Sequence, residues 1–106
     1  MPKLENNETL ISKVNEGDKQ AIIEALNSGV PFPAFRAILQ AGDLNLNDDD
    51  VFSGLRLWLD CDIRILGRKM KTYASATLFH LGQRSYNDLT EEELFVAEMY
   101  DSFHLV

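Results

Sequence analysis

Residues 48–66, DDDVFSGLRLWLDCDIRIL, decide how this chain is read. Two periodicities compete within them. Leu55, Leu57, Leu59, Cys61, Ile63 and Ile65 alternate with Arg56, Trp58, Asp60, Asp62 and Arg64. That is the period of a half-buried strand. Val51 or Phe52, Leu55, Leu59, Ile63 and Leu66 instead fall at helical spacing. Three arguments favour the helix. Asp48, Asp49 and Asp50 place negative charge where the helix macrodipole favours it. Leu and Arg are better helix than strand formers. No clear second strand is available elsewhere, and a lone strand has nothing to pair with. Gly54 counts slightly against this choice. The alternative is an α+β domain with a strand over residues 55–65.

Helical signals dominate on either side. Asn7 is placed to cap a helix through about Glu16, with Leu10, Ile11 and Val14 on one face, after a loose start over residues 1–6. Gly17 stops it. Asp18 caps a second helix, Lys19–Ser28, with Ala21, Ile22, Ala25 and Leu26 inward. Val30-Pro31-Phe32-Pro33 interrupts. Pro33 suits the first turn of a third helix running through Ala41, with Phe35, Ile38 and Leu39 inward and Gly42 at its end. After Gly67, Arg68–Leu81 reads as a further helix with Met70, Tyr73, Ala74, Thr77, Leu78 and Leu81 facing the core. Residues 83–89 form a loop. Thr90 and Glu93 make a capping box that opens a last helix through about Ser102, with Phe95, Met99 and Phe103 four residues apart. The expected fold is all-α, a single small domain of five to six short helices spanning residues 1–106.

Length and composition agree with one domain. The chain has 106 residues, 45% of them hydrophobic and 25% charged, which is ordinary globular usage. No apolar run approaches the ~20 residues of a membrane span. MPKLENNETL has no apolar leader core. One Cys allows no internal disulfide. The expected location is the cytoplasm, with no membrane association.

Net charge is −7 and unevenly distributed. Residues 43–62 hold six acids and only Arg56; residues 63–86 hold five bases (Arg64, Arg68, Lys69, Lys71, Arg84) and no acid; residues 87–106 hold six acids and no base. Such a balance disfavours nucleic acid and favours basic partners.

Reactive chemistry finds little support. Asp43-x-Asn45-x-Asn47 begins like a calcium loop, but its sixth position is Asp48 and its twelfth is Gly54, where Gly and a bidentate Glu are needed. His80, His104 and Cys61 lack zinc-site spacing. Cys61 among Leu, Trp and Ile reads as a small apolar residue rather than a nucleophile paired with His. No glycine-rich loop cradles phosphate. The chain is therefore read as non-enzymatic, with no cofactor and no metal. A helix-turn-helix over residues 34–58 would drive Asp48–Asp50 into phosphates, which repel them.

The remaining signal is surface charge with aromatic residues near it. Asp48, Asp49, Asp50, Asp60, Asp62, Glu91 and Glu92 are the expected partner-binding carboxylates, with Trp58 and Tyr100 as aromatic anchors, since interface hot spots favour Trp and Tyr. Trp58, off the Leu55/Leu59/Ile63 stripe, is the first choice for an exposed anchor. The expected function is that of an acidic protein-binding domain that inhibits or regulates a larger protein with a basic surface by electrostatic docking, as immunity proteins, antitoxins and phage inhibitors do. That class would make it a phage or bacterial accessory protein. One alternative is a small DNA-associated transcriptional regulator using Arg64, Arg68, Lys69 and Lys71. Another is a structural subunit of a homo-oligomer, with homodimerisation burying surplus aromatics.

Overall fold

The computed structural model describes the backbone of residues 2–105 and the side chains of residues 8–100. Among these, six α-helices and one two-stranded hairpin follow in order: α1 (Pro2–Asn15), α2 (Lys19–Leu26), α3 (Pro31–Asp43), α4 (Asp49–Arg56), β1 (Arg64–Ile65), β2 (Arg68–Lys69), α5 (Met70–His80), a single 3₁₀ turn (Tyr86–Asp88) and α6 (Glu91–Leu105). The all-α reading holds.

The helix boundaries follow from local chemistry. α1 already begins at Pro2, where the expectation had a loose start to Asn7. It ends in a Schellman motif: the Asp18 N–H bonds the Lys13 carbonyl, the Gly17 N–H bonds the Val14 carbonyl, and Gly17 takes φ +88°. The Asp18 carboxylate then accepts from the Ala21 N–H and opens α2. Pro31, not Pro33, is the first residue of α3, and the helix runs past Ala41 to Asp43 with Gly42 buried inside it. Asp48 caps α4 by accepting from the Asp50 N–H at 2.9 Å. The Thr90–Glu93 capping box closes in both directions, at 2.8 and 3.2 Å.

α5 is the centre of the bundle. Met70, Thr72, Tyr73, Ala74, Ser75, Ala76, Thr77 and Leu78 are all buried, so it is covered on every side. It packs against α3, α4 and α6, while α1, α2 and α3 pack on one another. Ile22, Leu26, Ile38, Leu55, Met70 and Leu78 are the largest fully enclosed side chains.

The deciding stretch resolves as neither of its two readings. α4 stops at Arg56, and residues 57–60 turn. Residues beyond Asp60 are extended and return through a tight hairpin in which Arg64 pairs with Lys69 and Ile65 with Arg68. The Met70 N–H bonds the Ile63 carbonyl and the Lys71 N–H the Cys61 carbonyl, so the pairing continues into the first turn of α5. The helix expected through residues 55–65 is thus corrected to two turns of helix, a turn and a hairpin arm. The helix expected from Arg68 starts at Met70 instead. Leu66 and Gly67 form the two-residue loop with φ +54° and +84°, the sign pattern of a type I′ turn.

Candidate functional site

The carboxylates picked out in the sequence occupy three separate places. Asp48, Asp49 and Asp50 stand at the N-terminus of α4; Asp60 and Asp62 follow its C-terminus; Glu91 and Glu92 open α6. The eight residues of α4 alone put roughly 12 Å between the first two groups. The first group stands apart, whereas the second and third approach one another around Lys71, whose ammonium is raised chiefly by Asp62 and also by Asp60 and Glu93. Several are also engaged. Asp48 pairs with Lys19, and hydrogen bonding from that lysine, then from the Asp50 N–H, holds its carboxyl below the usual range. Asp62 pairs with Lys71 at 2.9 Å and Lys69 at 3.6 Å, and the Lys71 hydrogen bond chiefly lowers its carboxyl while raising the lysine. Glu92 lies 3.8 Å from Arg68 and accepts from the Thr72 hydroxyl at 3.4 Å. Asp49, Asp50, Asp60 and Glu91 are exposed and make no ion pair among the described residues.

The basic band is largely spent inside the fold. Lys69 and Lys71 converge on Asp62, Arg68 faces Glu92, and Arg64 donates to the Gly67 carbonyl at 3.1 Å. Such exposed, solvent-screened pairs contribute little to stability. Their effect on the surface field is larger, because Asp62, shared by Lys69 and Lys71, and Glu92, facing Arg68, offset two of the positive charges that phosphate would need.

The two aromatic anchors are corrected. Trp58 is buried and its indole donates to the Leu26 carbonyl at 2.9 Å. The expectation of exposure extrapolated a helical wheel past Arg56, where the chain turns and swings Trp58 back onto α2. Tyr100 is buried as well. Its hydroxyl shares a 2.6 Å hydrogen bond with Thr77, reaches the Ile38 carbonyl at 3.3 Å, and its ring stacks on His80 at 4.6 Å. Burial pushes that hydroxyl well above the ordinary tyrosine range. Both rings serve the core.

No arrangement for covalent chemistry is assembled. The Cys61 carbonyl is tied to Lys71 at the start of α5, whereas His80 ends that helix, roughly 13 Å of rise away. His104 lies outside the described side chains. Among the described residues no three His, Cys, Asp or Glu side chains converge as a metal cluster would. In the would-be calcium loop, Asn45 has φ +53° and the Asn47 amide donates to the Asn45 carbonyl, so that turn is closed on itself.

One surface feature was not picked out in the sequence. α3, the hairpin tip and α6 enclose an apolar groove of about 150 Å³, with Phe35, Leu39, Leu66, Tyr73, Val96 and Met99 in its walls. Leu66 is 80% exposed, Phe95 53% and Met99 40%. The Arg68 guanidinium lies over the Phe95 ring, 5.0 Å from its centroid, at the groove edge. The four-residue spacing of Phe95 and Met99 signalled an apolar stripe; what it could not show is that Val96, Ala97 and Tyr100 take the inward face and leave the stripe outside. Larger hollows are open depressions: one of about 210 Å³ beside Arg36, Leu39 and Asp43, and two of about 390 Å³, one between α1 and α2 beside Lys13, Asp18 and Glu24, the other beside Asp60 and Cys61. No helix among the described residues is long and apolar enough to cross a membrane.

No protein-family model, characterised protein or solved structure matches this chain.

Proposed function

We propose that this chain is a non-enzymatic, acidic protein-binding domain that docks onto a larger cytoplasmic protein with a basic surface and inhibits or regulates it. The observation carrying this reading is the imbalance of charge left over after internal pairing. Arg68, Lys69 and Lys71 meet carboxylates, and Asp60 lies in the field of Lys71, while Asp49, Asp50 and Glu91 are exposed and make no ion pair among the described residues. Such a surface accelerates encounter with a basic partner and repels phosphate and anionic lipid. The same pairing counts against the DNA-associated reading, since Arg68, Lys69 and Lys71 each face a carboxylate and only Arg64 of its four bases makes no ion pair among the described residues. By class, immunity proteins, antitoxins and phage inhibitors work this way.

The test is affinity capture from the host with the intact chain as bait. One dominant basic partner is expected, released as salt shortens the screening length from about 10 Å at 0.1 M to about 3 Å at 1 M. The triple variant Asp49→Asn, Asp50→Asn, Glu91→Gln should recover markedly less of it. Capture indifferent to both salt and the triple variant would end the electrostatic reading. A gel shift with duplex DNA at low salt, abolished by Arg64→Ala, would replace it with the regulator.

A further inference from the structure

We infer that the outer edge of β1 pairs with the same edge of a second copy of this chain. The two arms run antiparallel about a two-fold axis at Ile63, so that Asp62 of each chain stands opposite Arg64 of the other. The contact is separate from the docking surface above, which rests on Asp49, Asp50 and Glu91.

The ladder fixes which backbone groups are available. Ile65 pairs with Arg68, and the Ile63 carbonyl accepts from the Met70 N–H at 2.8 Å. The Cys61 carbonyl accepts from the Lys71 N–H at 3.0 Å. Cys61, Ile63 and Ile65 therefore turn their polar backbone groups toward β2 and the start of α5. Successive residues of an antiparallel arm alternate in this respect, so Asp62 and Arg64 turn theirs the other way. Neither makes a backbone hydrogen bond outside the hairpin among the described residues, and residues 62–64 are all exposed. With β2 as its one strand neighbour, β1 is an open edge.

Charge selects the occupant. Edges are commonly guarded by lysines or a proline. This one carries an acid and a base two residues apart, Asp62 and Arg64. A two-fold centred on Asp62 or on Arg64 would set like charges opposite one another, which destabilises a strand pair. Centred on Ile63, it sets Asp62 opposite Arg64 on both sides of the axis, and each such pair exchanges both of its N–H···O=C bonds. The side chains are poised for this. Lys69 and Lys71 both approach Asp62 through Oδ1, and its side chain is still 68% exposed. Arg64 donates to the Gly67 carbonyl and makes no ion pair among the described residues, so a second copy supplies its carboxylate. On the other face Ile63, 50% exposed, meets its own counterpart in a non-hydrogen-bonded pair, where side chains come closest. The net charge of −7 per chain opposes association. At about 0.15 M salt the screening length is about 8 Å, so distant charges fade while opposed pairs in contact persist. The edge is short and buries less than the ~1,200 Å² of a standard interface, so the dimer is weak and concentration-dependent.

Sedimentation velocity of the intact chain from about 10 μM to about 1 mM reads the equilibrium, and monomer is expected to give way to dimer across that range. Arg64→Glu sets acid against acid in both pairs and should weaken the dimer about tenfold or more, whereas Arg64→Lys should keep most of it. Cross-linking tests the register. Ile63→Cys, with Cys61→Ser, brings the two thiols onto residues about 4.5 Å apart between Cα atoms, within disulfide reach, so mild oxidation should yield a covalent dimer. In the wild type the two Cys61 residues lie four residues apart along the pairing, roughly 13 Å, and should not cross-link. Circular dichroism and urea melts under reducing conditions confirm that each variant is folded. A chain that stays monomeric at about 1 mM would overturn the pairing. A dimer that Arg64→Glu leaves intact and Met99→Glu disperses would move the contact to the apolar groove. Cross-linking through Cys61 as fast as through position 63 would overturn the register.

Discussion

Leu66→Asn should make the protein more stable. A left-handed backbone costs an L-residue about 1–2 kcal/mol relative to glycine. Asn tolerates that region far better than leucine, so it recovers about 1 kcal/mol of this. Against that stands lost packing. Complete burial of a leucine contributes about 1.5–3 kcal/mol, and at 80% exposure only a fifth of it, about 0.3–0.6 kcal/mol, is at stake. The balance favours Asn by about 0.5 kcal/mol, or roughly 2–4 °C in Tm for a chain of this size. Glycine would relieve more strain but gives back about 0.5–1 kcal/mol through the freedom of the unfolded chain, so Leu66→Gly should be near neutral. Urea unfolding followed by far-ultraviolet circular dichroism measures this, with an unchanged slope and a higher midpoint. Gly67→Ala, at φ +84° in the same turn, is the opposite control and should destabilise by about 1 kcal/mol or more. A Leu66→Asn midpoint that falls would refute the reasoning, because it would mean that the packing of this leucine outweighs the backbone strain it carries.

Other perturbations probe the frame that carries the groove. A Cβ at Gly54 would sit 2.7 Å from Leu26 Cβ, where α2 and α4 touch, so Gly54→Ala should lose about 1–2 kcal/mol by thermal melt despite alanine's better helix propensity. Trp58→Phe strands the buried Leu26 carbonyl and should lose about 1–3 kcal/mol, read by urea unfolding. Asp48 and Asp62 have carboxyls held below their ordinary value of 3.8 by Lys19 and Lys71; their contribution is present above that value and lost as pH falls through the folded one, so acid titration should show urea midpoints declining below about pH 4, less steeply in Lys19→Ala and Lys71→Ala. Tyr100 is shifted the other way by burial, so stability should fall as pH rises past about 10, where the unfolded chain ionises and the folded one does not, and Tyr100→Phe should shallow that decline.

Most of the helical frame was legible because its signals are local. The Asp18 cap, the acidic start of α4, the Thr90–Glu93 box and the inward face of α5 each depend on residues within a turn or two of one another. The stretch after Arg56 was not. Its two periodicities belong to two successive structures that overlap around Leu55–Leu57, so each looks continuous across a boundary that neither respects. The hairpin carries no Asn-Gly or Asp-Gly signature, since leucine occupies the first turn position. Gly42 and Gly54 likewise read as a helix stop and a weak point, whereas both are buried contact points, against Tyr100 and Leu26.

The limits on reading the site have the same origin. Charge can be counted along a chain, but which charges survive pairing is a tertiary fact. The basic band from Arg64 to Arg84 is conspicuous as sequence and muted as surface, because Asp62 reaches Lys69 and Lys71 across the start of the hairpin and Glu92 reaches Arg68 from another helix. The reverse holds for the apolar groove. Leu39, Leu66 and Met99 are dispersed in sequence, and each alone reads as an ordinary core residue. They become a surface only because Val96, Ala97 and Tyr100 claim the inward face of α6 while the hairpin lifts Leu66 beside Met99.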